Sequence, residues 1–246
     1  MVKNQGHWPR HSHRVHDYSS LENMIAQAMD VLSVEGVAYP DGYKDKFIAK
    51  YKKHGVSYPR ILQRIGNPNI RKHFRYLEIL QNPGDFLDYG CGTGDDIRAL
   101  IQDGYPRDKI TGHDINTSSI DLGFDLYLDK EAMADRFVVS RKFLFVPCSF
   151  DIVYSGSVIH ALGDRREIAK YLTNAWTVVR PGGTFFGSTL GKDEMHQGNP
   201  RHGLPLLFQQ EFHDMLSAAG FVQIEIVSAE QEHDDHLRLW FFAVKG

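Results

Sequence analysis

The sequence predicts an α/β fold on one mostly parallel sheet of seven strands, preceded by a helical cap. Three observations predict it. From residue 86 onward strand-like and helix-like stretches alternate five times, a pattern that returns the chain to a parallel sheet through right-handed crossovers. A glycine-rich turn, Gly90-Cys91-Gly92-Thr93-Gly94, follows the first strand and opens the first helix. The chain closes on two strand-like runs with no helix between them, so that pair should be antiparallel.

At 246 residues the chain suits one large domain with a small appendage. Apolar residues at 42% and charged residues at 24% suffice for a core and exclude intrinsic disorder. Lys and Arg number 28 against 31 Asp and Glu, a net charge of −3 that argues against bulk nucleic-acid binding. The 13 histidines would move that charge to roughly +3.5 near pH 6.5, which bears on solubility alone. No run approaches the ~18 apolar residues of a membrane span, and the first thirty residues hold no continuous apolar stretch of a signal peptide. Cys91 and Cys148 stand far apart, which fits a reducing compartment. The expectation is a soluble cytoplasmic protein with no nucleic-acid or membrane partner; its oligomeric state is left open.

Residues 1–18 are polar and read as a tail; their histidines lack the Cys or carboxylate partners of a metal site. Ser19 with Glu22 forms a capping box, and Leu21, Met24, Ile25, Ala28 and Leu32 follow at helical spacing until Gly36. Tyr39-Pro40-Asp41-Gly42-Tyr43 reads as a turn, Phe47, Ile48 and Tyr51 as a short helical face, and Asn69 to Leu80 as another helix. Asn82-Pro83-Gly84-Asp85 breaks the chain, giving a tail and cap over 1–85 and the main domain over 86–246.

Strands are expected at 86–89, 110–115, 136–139, 150–155, 184–190, 221–227 and 237–244. Between them, Ile97, Leu100 and Ile101 give one helix its face, and Ser118 or Ser119 caps a second. Asp164 with Glu167 caps a third, which Pro181-Gly182-Gly183 ends. Phe212, Met215, Leu216 and Ala219 face one way on a last helix.

The sharpest feature is Phe86-Leu87-Asp88-Tyr89 running into the glycine turn, with Asp114 closing the second strand. Gly90, Gly92 and Gly94 permit tight backbone and let a ligand touch the main chain, and Asp114 suits ribose hydroxyls. A dinucleotide fingerprint would want Gly or Ala at position 95, but Asp95 and Asp96 stand there. Two carboxylates suit the helix dipole and repel a pyrophosphate, so a cationic ligand is the better guest. No Gly-Lys-Ser/Thr occurs, which excludes a phosphate-binding Walker loop.

On these residues, together with the Gly-His-Asp-Ile stretch, Ser149 to Leu162, and Val178 to Ser188, the chain resembles the class I S-adenosylmethionine-dependent methyltransferases, whose sheet is Rossmann-like. Within them, residues 58–65, Asp96 to Pro106 and the Ile159-His160-Ala161-Leu162 segment look similar to small fungal enzymes of meroterpenoid and carboxylic-acid secondary metabolism. The resemblance implies that Asp88, Gly90, Cys91, Gly92 and Gly94 surround the methionine part of the cofactor. It implies Asp114 on the ribose, Ile115 against the adenine, and Ser155 among the cofactor-binding residues. Where the family commonly has an acidic residue after the third strand, this chain has Ser140, Arg141 and Lys142, so Ser140 or backbone groups would hold the adenine.

His160 lies where the resemblance puts the methyl-transfer pocket; it either serves the acceptor as base or donor, or is a buried histidine satisfied by a neighbour. Arg201 and His202, in a loop after the fifth strand, are further candidates for the acceptor. His233 to His236 resemble metal ligands only in composition, and no metal is expected. The function expected is O-methylation of a small molecule, at a carboxylate or hydroxyl; N-methylation or a silent cofactor-binding protein are the alternatives.

Overall fold

The structure is a computed structural model describing residues 21–54, 59–192, 206–231 and 234–246. The polar tail, Ser19 of the expected capping box, Arg201 and His202 lie outside the described residues. Seven strands form one sheet: β1 (Phe86–Tyr89), β2 (Ile110–Asp114), β3 (Phe137–Val139), β4 (Phe150–Gly156), β5 (Val179–Gly191), β6 (Phe221–Gln231) and β7 (Asp234–Lys245). Their order is β3-β2-β1-β4-β5-β7-β6, and β7 alone runs against its neighbours, slotted between β5 and β6. The expected mostly parallel sheet with a reversed last strand is what forms. Its order reverses between β1 and β4, which opens a crevice at the carboxyl ends of those two strands.

The central strands β1 and β4 are apolar because both faces of the sheet are covered there, while β3 and β6 at the edges stay partly exposed. Leu87, Val153, Phe185, Leu239 and Phe241 turn toward α7 (Arg165–Val178) and α8 (Gln209–Ala218). Phe86, Ile152, Tyr154, Phe186 and Phe242 turn the other way, toward α3 (Tyr76–Gln81), α4 (Asp95–Gln102) and α5 (Thr117–Tyr127). As expected, Asp164 caps α7, accepting from the Arg166 and Glu167 N–H groups at 2.8 and 2.9 Å. Helix α5 differs from expectation. Its cap is Asn116, which accepts from Ser118 N at 3.0 Å, because the chain leaves β2 extended through that residue.

The cap comprises α1 (Leu21–Val34), α2 (Tyr43–His54) and a 3₁₀ turn at Pro59–Arg64. Ile25, Met29, Leu32, Phe47 and Ile61 pack on Leu122 and Leu126 of α5. The last carbonyls of α5 have no partner within the helix. Tyr39 and Tyr43 supply donors to two of them, at Leu126 and Asp125, at 2.5 and 2.8 Å.

The single helix expected from Asn69 to Leu80 is instead a 3₁₀ turn, Ile70–Lys72, and α3. His73 breaks it by adopting extended backbone, which carries its ring onto β7 with Nε2 2.9 Å from the Phe241 carbonyl. β5 also starts early. Val179 already pairs with Phe150, and Pro181-Gly182-Gly183 lies in a register shift before Thr184 meets Ile152.

His73 gives a test of this docking. Burial holds its pKa down to about 4, so the folded protein keeps it neutral while the unfolded chain protonates it near 6.5. The unfolded state therefore binds more protons between those values, and stability is lost as pH falls from 6.5 toward 4, by on the order of 3 kcal/mol from this group. His73→Gln, which can still donate to Phe241 and does not titrate, should flatten that part of the profile in urea melts taken across the range. An unchanged slope would remove His73 from the account.

Candidate functional site

The crevice between β1 and β4 has an acidic floor. Asp88 in β1 is 2% exposed, sits beside Gly112 and Tyr154 in register, and accepts no side-chain hydrogen bond among the described residues. Burial first, then Asp96, Asp114 and Asp95, push its carboxyl well above the ordinary range against the pull of Arg64. A cation at that carboxylate would favour its ionised form.

Over this floor runs the turn, with Gly90, Gly92 and Gly94 at φ of 88°, 57° and 78°, a region costly for any side chain. It is fixed from below and behind. Gly90 and Cys91 donate their N–H groups to the His113 carbonyl at 2.7 and 3.0 Å. Arg98, paired in two bonds with Asp129, donates to the Thr93 carbonyl at 2.6 Å. Gly123 of α5 lets that helix lie directly on the turn, since a Cβ there would sit 2.1 Å from the Thr93 carbonyl oxygen.

Asp114 stands at the end of β2, half-buried. Its carboxylate accepts from Gly92 N and Asn116 N, both at 2.8 Å, so it ties the turn to the exit of β2. Ile115 beside it is 61% exposed, an apolar side chain open to solvent next to the turn. Ser140 follows β3, donating its N–H to the Asp114 carbonyl at 3.1 Å, while its own carbonyl lies 3.1 Å from His113 Nε2. Asp88, Gly90, Gly92, Gly94, Asp114, Ile115 and Ser140 thus stand together around one crevice.

Two expected contacts take other roles. Ser155 is fully buried and shares a 2.9 Å hydrogen bond with the Tyr171 hydroxyl, which also donates to the Tyr89 carbonyl; its side chain supports the β1–β4 pair from inside. Cys91 is buried too, and burial with Asp88 and Asp114 keeps its thiol protonated, so it contributes backbone. Asp95 and Asp96 do not face a ligand as the sequence suggested. Asp95 accepts from Thr93 Oγ1 and from the Tyr127 hydroxyl. Asp96 accepts from Ile70 N at 3.0 Å, the Tyr154 hydroxyl at 3.1 Å and Arg64 Nη2 at 3.3 Å.

His160 lies in the turn after β4, buried against the end of β5. Leu190 donates its N–H to Nδ1 at 3.2 Å, and Thr189 Oγ1 lies 3.3 Å from the same nitrogen. Nδ1 is thereby an acceptor and the proton of the neutral ring sits on Nε2. Burial, with Arg238, Arg64 and His236 nearby, lowers its pKa to about 3.

Sequence reasoning missed Arg64, which reaches both Asp96 and, at 3.3 Å, the Gly156 carbonyl. Its partners are 32 and 92 residues away, so no spacing signals it.

Comparison with known proteins agrees with this geometry. The family described as "Methyltransferase domain" matches residues 87–185. O-methyltransferase phiE of Fungal sp. (strain ATCC 74256) is 30% identical over 139 residues, half of this chain and 45% of that protein. Asnovolin E/Chermesin D methyltransferase nvfJ of Aspergillus novofumigatus is 38% identical over 76 residues, 30% of this chain and 27% of that one. The chain thus spans less than half the length of these curated relatives. The solved 1,6-didemethyltoxoflavin-N1-methyltransferase of Burkholderia thailandensis superposes with a TM-score of 0.60 at 19% identity, over 85% of this chain and 91% of its own.

Asp114→Ala would leave the Gly92 and Asn116 N–H groups without their acceptor. It should lower stability by on the order of 1–3 kcal/mol, and Asp114→Asn, which keeps an acceptor oxygen, should recover part of that. Urea unfolding of both variants measures it, and wild-type stability in the alanine variant would show that Asp114 does not hold the turn.

Proposed function

We propose that the chain is a class I S-adenosylmethionine-dependent methyltransferase, as its match to a methyltransferase domain and the fold support, and that it methylates an oxygen of a small organic acceptor as part of secondary metabolism. The observation that carries the cofactor reading is Asp88, a buried carboxylate that accepts no side-chain hydrogen bond among the described residues and lies beneath a glycine turn, which fits a guest bearing positive charge. When bound, S-adenosylmethionine supplies a methyl group on a sulfonium, which an in-line displacement removes.

The turn 90–94, with Asp88, would take the methionine part. Asp114 would accept from the ribose hydroxyls, Ile115 would cover the adenine, and Ser140 would lie toward the adenine edge. At the acceptor, His160 offers a proton on Nε2 and cannot take one near neutral pH, since its pKa is about 3. It therefore orients an oxygen that is already nucleophilic. A carboxylate, ionised above ~4, needs no base, whereas a phenol near ~10 does. This favours a carboxylic acid. The acceptor oxygen would then form its bond to the methyl carbon as the carbon–sulfur bond breaks, leaving a methyl ester and S-adenosylhomocysteine. Arg201 and His202 remain candidates for the acceptor rim on sequence grounds.

Two measurements test this reading. In thermal shift, S-adenosylmethionine and S-adenosylhomocysteine should stabilise the protein and NAD should not; stabilisation by NAD alone would sink the reading. With an acceptor identified by mass spectrometry, the rate should stay level between about pH 6 and about pH 9, and His160→Asn should keep partial activity because an amide still donates. A rise in rate through a pKa of ~6–7, with a loss of ~10²-fold or more in the variant, would make His160 a base and favour N-methylation or a phenol.

A further inference from the structure

We propose that a second pocket, behind the glycine turn, binds a small organic ammonium ion with an apolar body. Its lining shares no residue with the crevice, so the pocket stands whether or not the crevice transfers a methyl group.

The pocket, about 290 Å³, lies where the cap meets the main domain. Leu32 and Met133, both buried, and the partly buried Val37 and Ile101 give it apolar walls. At the lower bound of ligand pockets, that volume suits a compact guest. Three helices end on it. Leu32 belongs to the last turn of α1, Ile101 and Gln102 close α4, and Tyr127 is the last residue of α5. The carboxyl end of a helix is the negative end of its dipole, which a basic side chain in the last turn can answer. None of these three helices carries one there. The pocket thus meets three negative helix ends with no lysine or arginine assigned to them.

The charged side chains of the lining leave one carboxylate over. Arg98 gives two hydrogen bonds to Asp129, at 2.7 and 2.8 Å, and a third to the Thr93 carbonyl at 2.6 Å. Its guanidinium also lies 4.1 Å from the centre of the Tyr127 ring. Arg71, whose charge is felt at Glu35, is itself bonded to Asp103 at 2.7 and 2.8 Å and to Gln102 at 2.8 Å. Glu35 makes no side-chain hydrogen bond or ion pair among the described residues. The lining therefore holds two carboxylates against one guanidinium, beside the three helix ends. An ammonium on an apolar body matches both the charge and the walls, and a neutral molecule of the same shape matches only the walls. A guest there would rest on two supports of the glycine turn, since Arg98 holds the Thr93 carbonyl and Tyr127 donates to Asp95.

The test uses the full chain and two probes of nearly one shape, the ammonium form of 2-phenylethylamine and neutral 2-phenylethanol, titrated by ligand-observed NMR at neutral pH and low, fixed ionic strength. The ammonium should bind at least about fivefold tighter than the alcohol. Glu35→Gln, at an exposed position, should remove most of that advantage and leave the alcohol's affinity unchanged. Val37→Trp, which fills the pocket, should weaken both probes, and Glu35→Gln decides alone if that variant fails to fold. Equal binding of the two probes to the wild type, or an advantage that survives Glu35→Gln, overturns the pocket. So does displacement of the amine by saturating S-adenosylhomocysteine, which would place the amine at Asp88 instead. Failure of S-adenosylhomocysteine itself to bind counts against the cofactor reading and leaves the comparison of the two probes intact.

Discussion

Three carboxylates crowded beneath one glycine turn constrain the rest of the molecule. Asp88, Asp95 and Asp96 are each at least nine-tenths buried, and charges so placed are costly unless they are paired and hydrogen-bonded. Two of them are provided for. Asp95 has the hydroxyls of Thr93 and Tyr127, and Asp96 has Ile70 N, Tyr154 and Arg64. Every donor to Asp96 except Tyr154 comes from the segment before β1. The cap is therefore joined to the sheet by charge as well as by apolar packing, and separating the two would expose an unpaired carboxylate in the interior. Asp88, by contrast, accepts no side-chain hydrogen bond among the described residues, and Asp96, Asp114 and Asp95 add to the cost of its charge.

Much of this was legible in the sequence because the controlling forces are local. The alternation of apolar strands and amphipathic helices placed all seven strands, and the Asp164 cap followed from a spacing of three residues. The glycine turn was legible for the same reason: its three positive φ values need glycine at those positions and nowhere else nearby. Asp114 could be placed because β2 ends on it. What escaped depends on contacts across long stretches of chain. The helix expected over Asn69 to Leu80 breaks at His73 for the sake of a carbonyl 168 residues on. Asp95 and Asp96 carried the right charge but the wrong direction, because their partners, Tyr127 and Arg64, are each 32 residues away. Ser155 belonged to the right strand end, yet the pleat turns it inward onto Tyr171.

His160 shows how the fold sets a chemical role. A histidine after β4 reads equally well as a base or as a donor while only its position is known. The backbone of β5 fixes which tautomer the ring adopts. Because Leu190 N–H points at Nδ1, the ring can present only Nε2–H outward, and because the ring is buried among Arg64, Arg238 and His236 it resists a second proton. The sheet thus selects the tautomer, and the surrounding cations select the charge state.

The same cations give the crevice a polarity along the sheet. Toward β1 and α4 its floor is carboxylate, with Asp88 foremost; toward β7 stands the Arg238 guanidinium, which donates to Ser157 Oγ at 2.7 Å. The carboxylate end suits the sulfonium of the donor that we propose. Arg64 is bonded to Asp96 of α4 and to the Gly156 carbonyl at the end of β4, both at 3.3 Å. In a displacement the two reactants must approach head-on, and most of what a protein contributes is their relative placement. For the methyl transfer that we propose, a carboxylate floor under the turn would fix the cationic donor before any side chain touches the reacting atoms.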